Sequence, residues 1–344
     1  MDKLARRPTE YRRDVFGEAA ARLGIRPTII EKDFWVCVVL KILFQKSQFG
    51  KSLVFKGGTS LSKAHGLIER FSEDIDLVLD WKVIGFGDGL RDPMQAFASK
   101  SKQDQFNKEI NRLAADYIAK TLCPELDDLF RREGIGLSAS IDPDDPHSVN
   151  IRYPAAFAEK YIRPEVRLEI GPLASWVPSA TRVIRPYAFD VVPEVFESPD
   201  CDVVAIAAER TFWEKATILH QEAHRTTLIP QRYSRHYYDL YKLAVSRVRA
   251  SALADPKLLQ DVVAFKQRFY PSAWARYDLA VPGSLKLLPT TPSHVAELAR
   301  DYEEMQVMLF GEPPEFQDIL DELTNLETEI NAKEGAQQDE LRSP

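Results

Sequence analysis

Cysteine is scarce in this 344-residue chain, which contains only Cys37, Cys123 and Cys201. An odd number of widely separated cysteines excludes a disulfide framework and a zinc ribbon and is typical of a reduced compartment. Runs of about 18 apolar residues are also missing, so the sequence predicts no transmembrane helix. The basic stretch 1–24 lacks the apolar segment and the small-residue cleavage site of a secretory signal. We therefore expect a cytoplasmic protein without a membrane partner.

Basic residues are fewer than acidic ones: the chain has 45 Lys and Arg and 52 Asp and Glu, which gives a formal net charge of −7. The overall charge therefore does not indicate bulk nucleic-acid binding, although a local patch remains compatible with it. Residues 225–249 form such a local stretch, rich in Arg, Lys, His and Tyr. This stretch is either a solvated helix face or a binding patch, and the sequence leaves both interpretations open.

Apolar residues make up 44% of the chain, enough for a large core in more than one structural unit. Periodicity predicts an α+β fold in which a mixed sheet is followed by a helical C-terminal half. We expect an α/β domain at 1–197, with N-terminal helices and a helical insertion near 95–133. A helical domain at 198–332 and a disordered tail at 333–344 would follow.

The same patterns predict individual elements. Helices are expected at about 8–23 and 29–47, with Thr28 as the N-cap of the second and Glu31 completing a capping box. Helical periodicity is also expected over 203–224. Strands are expected at 52–56, 75–81, 148–154 and 165–171, with a short strand at 183–189 in a stretch that is otherwise proline-rich and loop-like.

Two carboxylates stand close together in the strand-like run 75–81 and just before it. Side chains alternate faces along a strand, so Asp74 and Asp76 point the same way and repel each other unless a cation lies between them. Mg²⁺ prefers such oxygen ligands. Glu169 is the best candidate for a third carboxylate, ahead of Glu165. The alternative is a strand end that simply exposes acids to water.

A glycine pair precedes these carboxylates, in a strand–turn–helix pattern. Gly57 and Gly58 let the backbone approach a ligand closely, and Thr59 and Ser60 begin a helix whose free N–H groups attract phosphate. The sequence is not a Walker A loop, because the four-residue gap and the Gly-Lys-Ser/Thr ending are absent. The alternative is a tight turn capped by Thr59.

The helical half contains fewer chemical signals. Lys215 lies on a different helix face from Trp213, so it is free to contact an anion such as a polyphosphate. Asp239 is flanked by core-like aromatics and needs a partner, for which Arg235 and Lys215 are the candidates. A histidine pair one turn apart, at 220 and 224, has no evident third ligand and is expected on the helix surface.

Four motifs in order resemble the AbiEii/AbiGii nucleotidyltransferase-like toxins, members of the DNA polymerase β-type nucleotidyltransferase superfamily. "GGTS" with "RFSEDIDLVL" (70–79) resembles the first family motif. "IIEKDFWVCVVLKIL" (29–43) is similar to the Glu-Lys-Asp helix of the family. "ERTFWEKATILH" (209–220) and "RHYYDLYKL" (235–243) are similar to its helical motifs with Lys and with Tyr-Asp-Leu-Tyr. The resemblance implies a polymerase β-like core.

The resemblance also implies roles for individual residues. It implies that the nucleotide phosphates are bound by Gly57, Gly58, Thr59 and Ser60, and that a metal is bound by Asp74 and Asp76. It also implies that Lys215 contacts the triphosphate and that Asp239 supports the site. Ser72 matches a position that the antitoxin phosphorylates in some members. Two departures are Glu169, where an Asp is common in the superfamily, and His236, where members often have Asp.

The leading hypothesis is a nucleotidyltransferase that uses Mg²⁺ (or Mn²⁺) to transfer NMP from an NTP to a hydroxyl and releases pyrophosphate. By resemblance, the acceptor is RNA, for some members the tRNA 3′ end. The protein would then be the toxin of a toxin–antitoxin or abortive-infection system, with a cognate antitoxin as partner. Alternatives are transfer to a small molecule or a protein, and a non-catalytic nucleotide-binding module.

Overall fold

The structure is a computed structural model. It describes 1–72, 74–87, 92–95, 99–159, 163–173 and 176–340, with side chains up to 332. The chain forms two compact units. The first comprises Met1–His65 with Phe71–Ile206, and the second comprises Gly66–Arg70 with Ala207–Pro344. In the described part of the chain, no helix combines the length and the apolar character needed to span a membrane.

The first unit is built on a mixed sheet, which confirms the predicted α+β class. In the described residues the sheet has seven strands: β1 Leu53–Lys56, β2 Asp74–Leu79, β3 Ser138–Ile141, β4 Ser148–Arg152, β5 Glu165–Gly171, β6 Ser179–Ile184 and β7 Cys201–Ile206. Their order is β3-β4-β5-β2-β1-β7-β6. Strand β2 runs antiparallel to β1 and parallel to β5, so it lies in the middle of the sheet.

The helices of the first unit are α1 Asp2–Ala5, α2 Thr9–Leu23, α3 Pro27–Lys41, α4 Gly57–Lys63, α5 Lys100–Tyr117 and α6 Cys123–Glu133. Helices α3, α4 and α6 contact strands of the sheet. Helix α3 continues into a π-helical turn over Ile42–Lys46. Helices α5 and α6 confirm that the stretch predicted as a helical insertion is helical, within the residues described there.

One face of the sheet belongs to the hydrophobic core. Ile75 and Leu77 of β2 are fully buried in the cluster that also contains most of the apolar residues of α3. Strand residues alternate faces, so Asp74 and Asp76 point away from this cluster. The apolar residues of β2 therefore fix which face of the sheet carries the carboxylates.

The structure corrects the prediction for the end of the first unit. Residues Cys201–Ile206 form strand β7 and not the start of a helix, which begins only at Ala208. A short apolar run cannot be assigned to strand or helix from periodicity alone, and here the pairing with β1 and β6 decides. The strand predicted at 183–189 is in fact Ser179–Ile184, an edge strand whose exposed side chains give no apolar alternation.

The capping box predicted at the start of α3 is also wrong. Arg26 is the N-cap, and Pro27 occupies the first helical position. The Glu31 carboxylate instead accepts hydrogen bonds from the backbone N–H groups of Ala156 and Phe157, at 2.7 and 3.1 Å. Glu31 therefore holds a distant loop against α3 and does not cap its own helix.

The second unit is helical. Its helices are α7 Ala208–Ala223, α8 Ser234–Ala244, α9 Val248–Leu253, α10 Pro256–Phe269, α11 Pro292–Met305 and α12 Phe316–Glu340. Helix α7 packs against α8, α9 and α10, and α8 packs against α11 and α12. The disordered tail predicted at 333–344 lies outside the described side chains, and 341–344 lie outside the described residues altogether.

A buried ion pair connects α3 to α4 within the first unit. The Lys63 ammonium lies 2.6 Å from the Asp33 carboxylate, and both side chains are at most 4% exposed. Asp33 also accepts a hydrogen bond from the backbone N–H of Tyr187. Burial by itself would lower the pKa of Lys63, but the adjacent Asp33 carboxylate raises it above its ordinary value. The pair fixes the end of the helix that begins at the glycine turn.

We predict that Asp33→Asn lowers the free energy of unfolding by about 3–5 kcal/mol, because it leaves the Lys63 charge buried without an anion. Urea titration of wild type and variant measures this loss. Glu18→Gln is the control, since it removes an exposed ion pair with Arg22 on α2 and should cost less than about 1 kcal/mol. Equal losses for the two variants would contradict a stabilising role for the buried pair.

Candidate active site

The glycine turn at the end of β1 touches the carboxylate strand directly. Gly57 has a φ of +77°, a left-handed conformation that side chains rarely adopt. A Cβ atom at this position would overlap the Asp76 carboxylate. Both the backbone angle and the space therefore require glycine, and they bring the turn against Asp76.

Thr59 joins the same turn to the start of β2. Its hydroxyl donates to the backbone carbonyl of Asp74, and the carbonyl of Ser72 lies 3.4 Å away. Thr59 and Ser60 are 3% and 2% exposed. The Thr59 hydroxyl therefore positions the aspartate strand relative to the glycine turn.

A row of charged side chains crosses the sheet beside this turn. Asp76 is in register with Lys56 on β1 and with Glu169 on β5, and Glu169 is in register with Ser148 on β4. Residues in register project from the same face of a sheet. Asp74, Asp76 and Glu169 thus share one face of the sheet, and Glu169 lies on the strand next to that of the two aspartates.

The electrostatics of this row favour a cation. Burial raises the pKa of Glu169, and the negative charges of Asp76 and Asp74 raise it further. Carboxylate oxygens are the donors that Mg²⁺ and Mn²⁺ prefer, so the residues present fit a divalent ion. In the described residues, no three His, Cys, Asp or Glu side chains already converge on one point. Metal ligation by the three carboxylates stays a prediction.

Arg167 belongs to the same face but was not among the predicted site residues. It lies two residues before Glu169 on β5 and is in register with Asp74. Its guanidinium forms ion pairs with Asp142 at 2.7 Å, Asp145 at 3.3 Å and Glu169 at 3.3 Å. Alternation along β5 would have placed Arg167 on this face, but the turn that holds it is visible only in the structure.

A second charged cluster lies within the helical unit. The buried Asp239 carboxylate accepts two hydrogen bonds from Arg70, at 2.7 and 2.9 Å, and pairs with Lys215 at 2.7 Å. Lys215 also contacts Nδ1 of His236 at 3.0 Å. Burial would raise the pKa of Asp239, but Arg70 and Lys215 lower it well below its ordinary value, so the carboxylate stays charged.

The partners of Asp239 only partly match the prediction. Lys215 is confirmed as a partner, whereas the second partner is Arg70 and not Arg235. Burial lowers the pKa of His236 well below its usual value, and the charge of Lys215 lowers it further, so the imidazole is neutral. The cluster therefore places two basic side chains, Arg70 and Lys215, on the single carboxylate of Asp239.

The basic stretch 225–249 is largely engaged inside the helical unit. Arg249 forms ion pairs with Glu322 and Glu329, and Tyr237 and Tyr238 are buried. The structure therefore favours a packed helix over a continuous basic patch for this stretch. Its first residue, Arg225, also forms an ion pair, with the buried Glu222 of α7, and its guanidinium lies over the ring of Trp274.

The histidines on α7 have structural contacts, and the expectation of a surface position is wrong for His220. This residue is fully buried, its Nε2 contacts the carbonyl of Arg276 at 2.9 Å, and its Nδ1 accepts from the N–H of Lys286. Nδ1 of His224 contacts the carbonyl of His220 at 2.9 Å. Both nitrogens of His220 are thus occupied by the backbone, and neither is available to a metal.

An α+β fold that places a glycine turn beside strand-borne carboxylates is the arrangement expected of a nucleotidyltransferase. The family model described as nucleotidyl transferase AbiEii toxin, type IV TA system, matches residues 39–322, most of the chain. The chain belongs to this family, and it is a nucleotidyltransferase toxin of a type IV toxin–antitoxin system. This membership confirms the resemblance and implies an NTP substrate and an antitoxin partner.

Two solved structures are similar over most of the chain. The nucleotidyltransferase toxin MenT4 from Mycobacterium tuberculosis H37Rv is 19% identical, with a TM-score of 0.43 over 90% of this chain and 98% of MenT4. JHP933 from Helicobacter pylori is 15% identical, with a TM-score of 0.44 over 91% of this chain and 96% of JHP933. No curated protein sequence matches the chain significantly.

We predict that Gly57→Ala destabilises the protein more than Gly24→Ala. Both glycines have positive φ, but a Cβ at Gly24 meets no atom within 4 Å, whereas one at Gly57 overlaps Asp76. Gly24→Ala should cost about 1 kcal/mol for backbone strain, and Gly57→Ala about 1–3 kcal/mol more for the overlap. Urea titration measures both values, and an equal cost would show that the turn does not press against Asp76.

Proposed function

We propose that this toxin transfers NMP from an NTP to a hydroxyl of RNA in a reaction that depends on Mg²⁺. One observation carries the proposal: Asp76 and Glu169 lie side by side in register on β2 and β5, next to a glycine turn. The acceptor oxygen would bond to the α-phosphorus as the bond to the pyrophosphate leaving group breaks. The hydroxyl proton leaves with solvent or a nearby base.

The residues of the first unit divide this work. Asp74, Asp76 and Glu169 would hold the divalent ions, which activate the hydroxyl and stabilise charge on the triphosphate when bound. The backbone of the turn at Gly57 and Gly58 would accept the phosphates at close range. Thr59 holds the turn and the aspartate strand together, so that both sets of groups keep one geometry.

The charged cluster of the helical unit contains the lysine to which we assign a contact with the anionic substrate. Lys215 is buried, and burial lowers its pKa, although the Asp239 carboxylate acts in the opposite direction. Arg70 and Lys215 share that carboxylate, so two basic side chains converge on one acid. We assign triphosphate contact to Lys215, and support of that lysine to Asp239.

An exposed aromatic surface supports RNA as the acceptor. Trp274 is 42% exposed, and the guanidinium of Arg225 lies 4.6 Å from its ring centroid. Tyr270, at the end of α10, is 52% exposed. Exposed aromatic rings and stacked arginines bind the bases of single-stranded nucleic acid without strong sequence preference. A tRNA 3′ end is an acceptor of this kind.

Control by the antitoxin would act at the same site. Ser72 lies two residues before Asp74, the first residue of the carboxylate strand. A phosphate on Ser72 would add negative charge beside carboxylates that already repel each other, and so would oppose binding of a triphosphate. A toxin restrained in this way suits an abortive-infection role, in which activity is released only on phage attack.

The test is transfer of label from α-phosphate-labelled NTPs. Purified protein is incubated with Mg²⁺, total RNA and each NTP in turn, beside Asp76→Asn. We expect label in an RNA band with wild type and a loss of at least about 100-fold with the variant. Asp202→Asn is the matched control, since Asp202 is an exposed aspartate on β7 of the same sheet and should leave transfer intact.

Each outcome bears on one part of the proposal. Full transfer by Asp76→Asn would refute the role of the carboxylate row. Label that enters protein or a small acceptor, but not RNA, would keep the mechanism and overturn the acceptor. Bound NTP without transfer to any acceptor would favour a non-catalytic module.

A further inference from the structure

Arg167 is held on the carboxylate face by the connection between β3 and β4. The β3–β4 connection places Asp142 and Asp145 against the guanidinium, at 2.7 and 3.3 Å. Asp142 is itself fixed, because it accepts hydrogen bonds from the backbone N–H groups of Asp144 and Asp145 and from the Asn150 side chain. A rigid turn thus sets the position of one arginine.

The fixed guanidinium lies against a proposed metal ligand. Its Nε is 3.3 Å from Oε1 of Glu169, and this buried Nε has no hydrogen-bond partner in the structure. Arg167 is also in register with Asp74. A positive charge therefore lies next to Glu169, on the face where the three carboxylates would bind a cation.

We propose that Arg167 is a positioning residue that acts as a resident counter-ion for Glu169 and keeps the affinity of the nucleotide-free site for divalent cations low. This inference rests on the proposed role of the carboxylate row. A free divalent ion that approaches Glu169 meets the repulsion of the guanidinium. An ion that arrives with a triphosphate brings negative charge, which offsets this repulsion. The ion therefore enters together with the nucleotide.

The test is the affinity for Mn²⁺, measured by calorimetry or by the electron paramagnetic resonance signal of free Mn²⁺, without nucleotide. We expect Arg167→Gln to bind Mn²⁺ roughly tenfold more tightly than wild type, and this difference to shrink as the salt concentration rises. A non-hydrolysable NTP should improve Mn²⁺ affinity more in wild type than in the variant. Arg182→Gln, at an exposed position on β6, is the control and should bind like wild type.

Further variants keep the inference falsifiable. Arg167→Lys retains the positive charge and should bind Mn²⁺ as weakly as wild type. This variant tests the inference even if Arg167→Gln does not fold. Tight binding by the lysine variant would overturn the inference, as would unchanged affinity in a folded Arg167→Gln.

Asp76→Asn separates this inference from the proposed function. If Asp76→Asn weakens Mn²⁺ binding but Arg167→Gln leaves it unchanged, the carboxylate site stands and the role of Arg167 fails. If both variants bind like wild type, the carboxylate row is not the metal site, and the proposed function fails with it.

Discussion

The register of one central strand is the constraint on which the candidate site depends. Strand β2 pairs with β1 on one side and β5 on the other, and this pairing sets Asp76 between Lys56 and Glu169. A slip by one residue would turn the carboxylates into the core and expose Ile75 and Leu77. The apolar residues of β2 therefore determine the geometry of its acidic ones.

The surrounding groups hold this costly arrangement in place. Carboxylates that repel each other stay together because the backbone pairing holds their strands and because Thr59, the Asp33–Lys63 pair and Arg167 fix the neighbouring elements. In the helical unit, Asp239 is likewise kept charged in a buried position by two cations. In both units the cost of burying a charge is offset by a specific partner of opposite charge.

Much of this could be predicted from the sequence, because alternation and glycine turns are local signals. They gave the strands of the aspartates and of Glu169, the turn at Gly57 and the helical half. What was missed depends on distant partners: β7 is a strand because it pairs with two others, Glu31 binds a loop 125 residues away, and Asp239 takes Arg70 from 169 residues away. Arg167 was missed for the same reason, since its role depends on a turn from another part of the chain.

The most direct test of this account is the position of a bound ion. Crystals grown with Mn²⁺ and a non-hydrolysable NTP would show the ion through its anomalous diffraction. The account predicts a peak at about 2.2 Å from carboxylate oxygens of Asp76, with Asp74 and Glu169 on the same ion or its neighbour. A bound nucleotide whose Mn²⁺ lies away from all three carboxylates would contradict it.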